Sequence, residues 1–128
     1  MPARIVIVGS NPSLTEQARQ AFTGAGHDVA VFTNPLKGLD ALERANRIEL
    51  LITDIDFGPG RLNGAALARM ARFKKPGVRV LLMGQMEERQ YVEKELGEFL
   101  PRPVAVVTLL DAAARLLRAA PATGTPDQ

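Results

Sequence analysis

Short apolar runs alternate with longer amphipathic stretches along the chain. Five runs rich in Val, Ile, Leu and Phe have the length of β-strands, and turn-forming residues follow most of them. They lie at residues 4–8, 29–32, 50–53, 78–83 and 97–100. Between the runs, apolar side chains recur at helical spacing, so the pattern predicts five β-α units.

The third run differs from an ordinary amphipathic strand because its residues, 50–53, are apolar almost without alternation. Such a run is typical of a parallel strand that helices cover on both faces. An acid, Asp54, follows it directly. Open α/β sheets bind ligands at the carboxyl ends of their strands, so this pattern predicts a carboxylate at a ligand-binding edge. A structural Asp that merely caps a turn is the alternative.

The helices that connect the strands have recognisable start and stop signals. Asn11 or Ser13 can cap the first, and Pro35 suits the first turn of the second. Asn63 can cap the third, which should run from Gly64 to about Lys74. We expect a fourth helix over residues 86–96, with few apolar anchors and therefore loose packing, and a fifth over residues 106–119.

Right-handed crossovers turn this order into one α/β fold. It is a five-stranded parallel sheet, doubly wound, with the connectivity (βα)5. Residues 1–119 are predicted to form this single domain. Residues 120–128, which read APATGTPDQ, are small and polar and are predicted to be a disordered tail.

Composition narrows the range of functions. The 128 residues contain no Cys, which excludes disulfides, and one His, so we expect no zinc site built on Cys or His. The formal charge of +2 is small and dispersed, so we expect no direct nucleic-acid binding. No apolar run approaches the ~20 residues that span a bilayer, and we expect a cytoplasmic protein without membrane contact.

A nucleotide site after the first strand is one possible use of such a fold. The loop there, Gly9-Ser10-Asn11-Pro12-Ser13, has neither G-x-G-x-x-G nor G-K-[ST]. Phosphate cradling by this loop is therefore a weak prediction. Binding of a nucleotide or another small ligand is kept as a less favoured alternative.

A more specific resemblance comes from three groups of residues taken together. They are Asp54 at its strand end, the Gly58-Pro59 and Asn63-Gly64 pairs beyond it, and the segment Phe99-Leu100-Pro101-Arg102-Pro103. Over residues 4 to about 119 the chain resembles the receiver domain of bacterial two-component response regulators. The resemblance implies a flavodoxin-like receiver fold and a non-enzymatic role in phosphorelay signalling. It also implies that Asp54 accepts a phosphoryl group from a kinase phosphohistidine, aided by Mg²⁺ and a positive side chain.

The chain departs from the receiver pattern where that pattern binds its metal. Two adjacent acids are expected after the first strand, but Gly9 and Ser10 stand there. A cation would be left with Asp54, the backbone carbonyl near Asp56, water, weak help from Ser10 or Asn11, and the carboxylate of Asp56 if it faces the site. We therefore expect Mg²⁺ binding to be weak or absent.

Three further positions of the receiver pattern are altered or uninformative. Arg102 replaces the lysine before Pro103, and the resemblance implies a cis bond between them. Arg102 could bind a phosphoryl group or simply pair with the unphosphorylated Asp54. Gly84 replaces the switch Ser or Thr, and Phe99 fills the aromatic switch position without a hydroxyl, so an altered switch is expected.

Two functions follow from the resemblance and its departures. The first is a phosphoacceptor at Asp54 with atypical Mg²⁺ dependence, whose partner is a histidine kinase or another phosphorelay protein. The alternative is a pseudo-receiver that binds partners without phosphorylation. The expected chain is a monomer or a weak homodimer through the face of the fourth helix, fifth strand and fifth helix. Candidate contacts on that face are Met86, Tyr91, Glu95, Phe99 and Val106.

Overall fold

The computed structural model describes residues 3–118. Its five strands are β1 (Arg4–Val8), β2 (Asp28–Phe32), β3 (Leu50–Asp54), β4 (Arg79–Gly84) and β5 (Glu98–Pro101). Its helices are α1 (Pro12–Gly24), α2 (Pro35–Arg44), α3 (Gly64–Lys74) and α4 (Val106–Arg118), with a 3₁₀ helix at Met86–Tyr91. Residue 119 of the predicted last helix and the predicted tail at 120–128 lie outside the described residues.

All five strands are parallel and form one sheet in the order β2-β1-β3-β4-β5. This confirms the predicted doubly wound α/β fold. The central strand β3 pairs with β1 and β4, and each of its five residues is buried. Its last residue, Asp54, lies beside Met83 of β4 at the carboxyl edge of the sheet.

The sheet separates two apolar layers. Leu51 of β3 belongs to the layer under α2 and α3, which also contains Leu42 and Leu67. Leu50 and Ile52 of β3 point to the opposite layer, with residues of α1 and α4. Because alternate residues of a strand face opposite sides, only an uninterrupted apolar run can serve both layers. Each fully buried Leu or Ile contributes about 1.5–3 kcal/mol.

Asparagines begin three of the helices. The Oδ1 atoms of Asn11, Asn34 and Asn63 accept hydrogen bonds from amides in the first turns of α1, α2 and α3. Such caps contribute roughly 1 kcal/mol each, since they bond amides that have no partner within the helix. The caps predicted at α1 and α3 are therefore confirmed, with Asn11 rather than Ser13 at α1. None of the helices in residues 3–118 has the length and apolarity to cross a bilayer.

The prediction of a fourth helix over residues 86–96 is wrong. Only Met86–Tyr91 is helical, as a 3₁₀ helix with no buried residue, and residues 92–97 are irregular. The segment lacks the apolar stripe that holds an α-helix against a sheet. In addition, the Arg72 guanidinium of α3 donates to the carbonyls of Glu95 and Leu96 at 2.8 and 3.0 Å. Tertiary contacts thus satisfy backbone groups in a non-helical conformation.

Candidate functional site

The carboxylate of Asp54 is buried at the end of β3, with only 4% of the residue exposed. Its Oδ2 atom accepts hydrogen bonds from the Ser10 amide at 2.7 Å and from the Ser10 hydroxyl at 2.9 Å. Its Oδ1 atom lies 2.8 Å from Nη2 of Arg102. Both oxygens are therefore bound by groups of the same chain, and one of those groups carries a compensating positive charge.

Arg102 follows β5 and is held to the sheet through its backbone. Its amide donates to the carbonyl of Gly84 at 2.8 Å, and its bond to Pro103 is cis, as the resemblance implied. The Arg102 side chain is 34% exposed, whereas that of Asp54 is 5% exposed. The ion pair thus joins a buried anion to a cation that keeps contact with solvent. This is the pairing with unphosphorylated Asp54 that the sequence left open.

A cleft of about 350 Å³ opens above this ion pair. Asp54 is the one acid among the described residues that line it. The lining residues are Asn11, Leu14, Asp54, Met83, Gln85, Arg102, Pro103 and Val104. The cleft is large enough to admit a small group, and its charge is balanced between one carboxylate and one guanidinium.

The donor set does not fit the magnesium site that the receiver resemblance implies. Ser10 directs hydrogen-bond donors at one oxygen of Asp54, and Arg102 places a positive charge at the other. Asp56 is exposed, and its Oδ1 atom accepts from the Gly58 amide at 2.8 Å. Within residues 3–118, no cluster of three or more His, Cys, Asp or Glu side chains could hold a metal. Mg²⁺ needs several oxygen ligands in near-octahedral positions, which these side chains do not supply.

The place next to Gly84 is taken by the carboxylate of Glu88. A Cβ atom at residue 84 would lie 2.5 Å from Glu88 Oε1 and 3.1 Å from Ile55 Cδ1. The same Glu88 oxygen accepts from the Gln85 amide at 2.7 Å, which stabilises the start of the 3₁₀ helix. The sequence analysis missed Glu88, although an acid three residues after a helix-capping position is a known signal. A Ser or Thr side chain at residue 84 would therefore collide with the Glu88 carboxylate in this position.

Phe99 lies apart from the Asp54 cleft. It is half-buried against the apolar layer under α2 and α3, and the Arg89 guanidinium lies 5.9 Å from the centre of its ring. Core packing and a cation-π contact account for this position. The structure therefore brings together Ser10, Asp54 and Arg102, and leaves Asp56 and Phe99 outside their cluster. From the sequence, Ser10 was regarded mainly as a lost acid rather than as a double donor.

No family model matches the sequence. The fold is nevertheless shared with many solved receiver domains. The non-phosphorylated HemR receiver domain from Leptospira biflexa has 24% identity and a TM-score of 0.78, with 100% of both chains covered. The receiver domain of the hybrid histidine kinase CckA has 25% identity and a TM-score of 0.72, covering 90% of this chain and 99% of its own.

A third similar structure is described as an adenylate cyclase from Rhodopirellula baltica. It has 16% identity and a TM-score of 0.80, covering 92% of this chain and 89% of its own. The likeness at this identity concerns the fold alone. Taken with the receiver domains above, it shows that the chain has the flavodoxin-like fold of response regulator receiver domains.

Proposed function

We propose that this chain is a receiver-fold signalling module that binds a partner protein without being phosphorylated. The observation that carries the proposal is that both carboxylate oxygens of Asp54 are already bound. Ser10 donates to Oδ2, and Arg102 pairs with Oδ1. Receiver domains are generally non-enzymatic modules that interact with histidine kinases or phosphotransfer proteins. The partner proposed here is of that class.

Phosphoryl transfer to Asp54 would require several contacts to break. The attacking oxygen must be free and aimed at phosphorus, and cations must balance the charge that develops on the phosphoryl oxygens. Here Oδ2 would have to leave two donors of Ser10, or Oδ1 would have to leave Arg102. The positive charge of Arg102 is already balanced by Asp54, and no cluster of acids in residues 3–118 supplies a metal site.

The partner-binding face is proposed to include the 3₁₀ helix and β5. Met86 and Tyr91 are exposed there, Tyr91 by 70%. A cleft of about 610 Å³ lies on this side, and Arg89, Lys94 and Phe99 are among the residues that line it. Exposed aromatic, Met and Arg side chains beside a concave surface are characteristic of protein interfaces. Glu95, exposed, and Val106, partly buried, complete the contacts expected from the sequence.

Phosphorylation of Asp54 is the second candidate function. The observation in its favour is the cleft of about 350 Å³ that reaches Asp54 and contains the guanidinium of Arg102. In this case the bond between phosphorus and the kinase histidine breaks as a bond to a carboxylate oxygen forms. Arg102 would then leave the carboxylate and bind the transferred group.

Mass spectrometry of the intact chain separates the two functions. The chain is incubated with acetyl phosphate, and separately with a phosphorylated histidine kinase, with and without Mg²⁺. We expect no phosphoryl adduct, while a working receiver domain in the same reaction is modified. An adduct on the native chain that Asp54→Asn abolishes would show that the proposal is wrong.

Partner binding is tested by titration with the dimerisation domain of a histidine kinase or with a phosphotransfer domain. Tyr91→Asp is expected to weaken binding about tenfold or more, as for an aromatic anchor. Lys37→Asp, an exposed change on α2, serves as the control, and Asp54→Asn should bind like the native chain. Binding that needs a phosphorylated Asp54 would contradict the proposal.

A further inference from the structure

The cleft of about 610 Å³ beside β5 has a surplus of positive charge. It lies between the irregular residues 92–97 and the edge strand of the sheet, and we call it the basic cleft. Among the described residues that line it, four are basic and two are acidic: Arg72, Arg79, Arg89, Lys94, Glu95 and Glu98. This excess of two positive charges equals the formal net charge of +2 of the whole chain.

One of the two acids is already balanced by a residue of α4. Both carboxylate oxygens of Glu98 accept from the Arg115 guanidinium, at 2.8 and 3.0 Å. Glu93, close by in the chain, is bound to Arg69 of α3 at 3.1 Å. The acids of this region are therefore largely engaged by arginines of neighbouring helices, and the exposed Glu95 remains beside the basic side chains.

Three cations of the basic cleft are held in place without a carboxylate partner. Arg72 donates to two backbone carbonyls, and the Arg89 guanidinium lies 5.9 Å from the centre of the Phe99 ring. Lys94 is exposed. Within residues 3–118, none of the three belongs to an ion pair. Carbonyls and a ring orient a guanidinium but do not neutralise it, so these charges are available to a bound anion.

The floor of the basic cleft is apolar. Leu96 is 7% exposed and belongs to the layer under α2 and α3, and the partly buried Val92 and Leu116 lie beside the opening. A Cβ atom at Gly97 would lie 2.4 Å from the carbonyl oxygen of Val80, so this segment lies directly against β4. The basic cleft thus combines an apolar recess with a basic rim.

We infer that the basic cleft binds an acidic segment of the partner protein. Carboxylates of the segment pair with Arg89 and Lys94 at the rim, and an apolar side chain between them fills the recess beside Val92 and Leu116. The inference rests on the proposed function, because it names the chemistry of the partner for the face that includes the 3₁₀ helix and β5. Charge complementarity of this kind makes binding strongest at low salt.

A protein segment fits the basic cleft better than a nucleic acid does. Arg89 lies over a face of the Phe99 ring, the surface on which a base would otherwise stack. Glu95 and Glu98 would place negative charge near a chain of phosphates. A phosphate backbone also gains nothing from the apolar recess, which admits a side chain such as Leu or Phe.

Fluorescence anisotropy of the full chain with labelled peptides tests the inference. The probes are a short peptide of Glu residues with a central Leu and a matched peptide in which Gln replaces each Glu. We expect the Glu peptide to bind about tenfold or more tightly than the Gln peptide, and to lose affinity as the salt concentration rises. Lys94→Glu should weaken binding of the Glu peptide about tenfold.

Lys37→Glu is the matched control and should leave the affinity unchanged. Lys37 of α2 and Lys94 are both exposed lysines outside the ion pairs of residues 3–118, and both substitutions change the net charge equally. Circular dichroism confirms that each variant is folded. The inference is overturned if neither peptide binds, if the Gln peptide binds as tightly as the Glu peptide, or if the two variants weaken binding equally.

Two further measurements separate this inference from its alternatives. Tighter binding of single-stranded oligothymidine than of the Glu peptide, lost in Lys94→Glu, would overturn it and assign the basic cleft to nucleic acid. Binding of a histidine kinase or phosphotransfer domain that Tyr91→Asp weakens and Lys94→Glu leaves unchanged would overturn the inference alone. A phosphoryl adduct on Asp54 would overturn the proposed lack of phosphorylation and leave the charge preference of the basic cleft standing.

Discussion

Arg102 binds Asp54 at the oxygen that Ser10 leaves open. Its Nη2 atom lies 2.8 Å from Oδ1, while the amide and hydroxyl of Ser10 both donate to Oδ2. The acid is thus held at both oxygens by residues from two distant loops, one after β1 and one after β5. The ion pair links the end of β3 to the loop after β5, and it also balances a buried charge.

Arg102→Met should lower the free energy of unfolding by about 1–3 kcal/mol, because Asp54 is left buried without its counter-ion. The loss is expected to stay below the ~3–5 kcal/mol of a fully buried pair, since a third of the Arg102 side chain is exposed and Ser10 still donates. Arg102→Lys keeps the charge and should lose less. Urea unfolding measures both values.

A double-mutant cycle isolates the pair itself. In Asp54→Asn the buried charge is gone, so Arg102→Met added to it should cost much less than in the native chain. Strictly additive losses would mean that the two residues do not interact in solution and that the ion pair is not what stabilises this edge.

Ser10→Asp should make the folded chain sensitive to divalent cations. The substitution removes one donor to Asp54 and sets a second carboxylate beside it, so repulsion should lower stability by roughly 1–3 kcal/mol in the presence of a chelator. Mg²⁺ or Mn²⁺ should restore much of this loss, which thermal unfolding with each ion measures. Ser10→Asn is the uncharged control of the same size.

The native chain is the second reference in that experiment. We expect its unfolding temperature to be unchanged by either ion, because its donors at Asp54 are an amide, a hydroxyl and a guanidinium. A cation-induced rise in the native chain as large as in Ser10→Asp would show that residues 3–118 do contain a usable metal site.

Gly64→Ala should be among the most damaging single-methyl additions in the chain. A Cβ atom at residue 64 would overlap the backbone carbonyl oxygen of Asp54 and crowd Ile55, so α3 and the end of β3 would have to separate. We expect a loss of about 3 kcal/mol or more, at the upper end of overpacking. Gly77→Ala is the control, because a Cβ there meets no atom within 4 Å. Equal stabilities of the two variants in urea would contradict the close packing described at Gly64.

Acid should weaken the fold partly through Glu49. Burial by itself raises the pKa of this carboxyl, but the Arg4 amide and the Arg47 guanidinium outweigh it and hold the pKa below the ordinary value of 4.5. A lowered pKa means that the contribution to stability is complete above about pH 4.5 and is lost as the pH falls through the folded-state value. Glu49→Gln should therefore lose stability at neutral pH and show a shallower decline in acid, as urea unfolding from pH 7 to about pH 3 would reveal. Parallel pH curves for the two proteins would contradict this role.

The sequence predicted the parts of the fold that depend on local pattern and burial. The uninterrupted apolar run of β3, the Asn caps and the position of Asp54 at the strand end were all readable, since each depends on residue types next to one another in the chain. The fourth helix was not. Arg72 of α3 bonds the carbonyls of Glu95 and Leu96, and this contact between distant parts of the chain is not visible in the local pattern of residues 92–97.

The candidate site shows the same division. The positions of Asp54 and Arg102 were predicted, but their mutual bond remained one of two possibilities. The part played by Ser10 could not be derived from its identity. Its amide is a donor whatever side chain the residue carries, and the direction of the loop decides that Asp54 is the acceptor. The capping role of Glu88 had a signal in its spacing from Gln85, but its position against Gly84 becomes visible only when β4 and the 3₁₀ helix are placed together.

The 3₁₀ helix Met86–Tyr91 contains no buried residue, and this sets how the chain can respond to a partner. Opening it exposes little new apolar surface, so its local opening free energy is small beside that of the sheet. Its amides should exchange hydrogen far faster than those of β3, and substitutions in it should leave global stability almost unchanged. A bound protein can therefore change the conformation of this segment without disturbing the core. Binding would then slow hydrogen exchange in the 3₁₀ helix and leave exchange in the sheet unchanged.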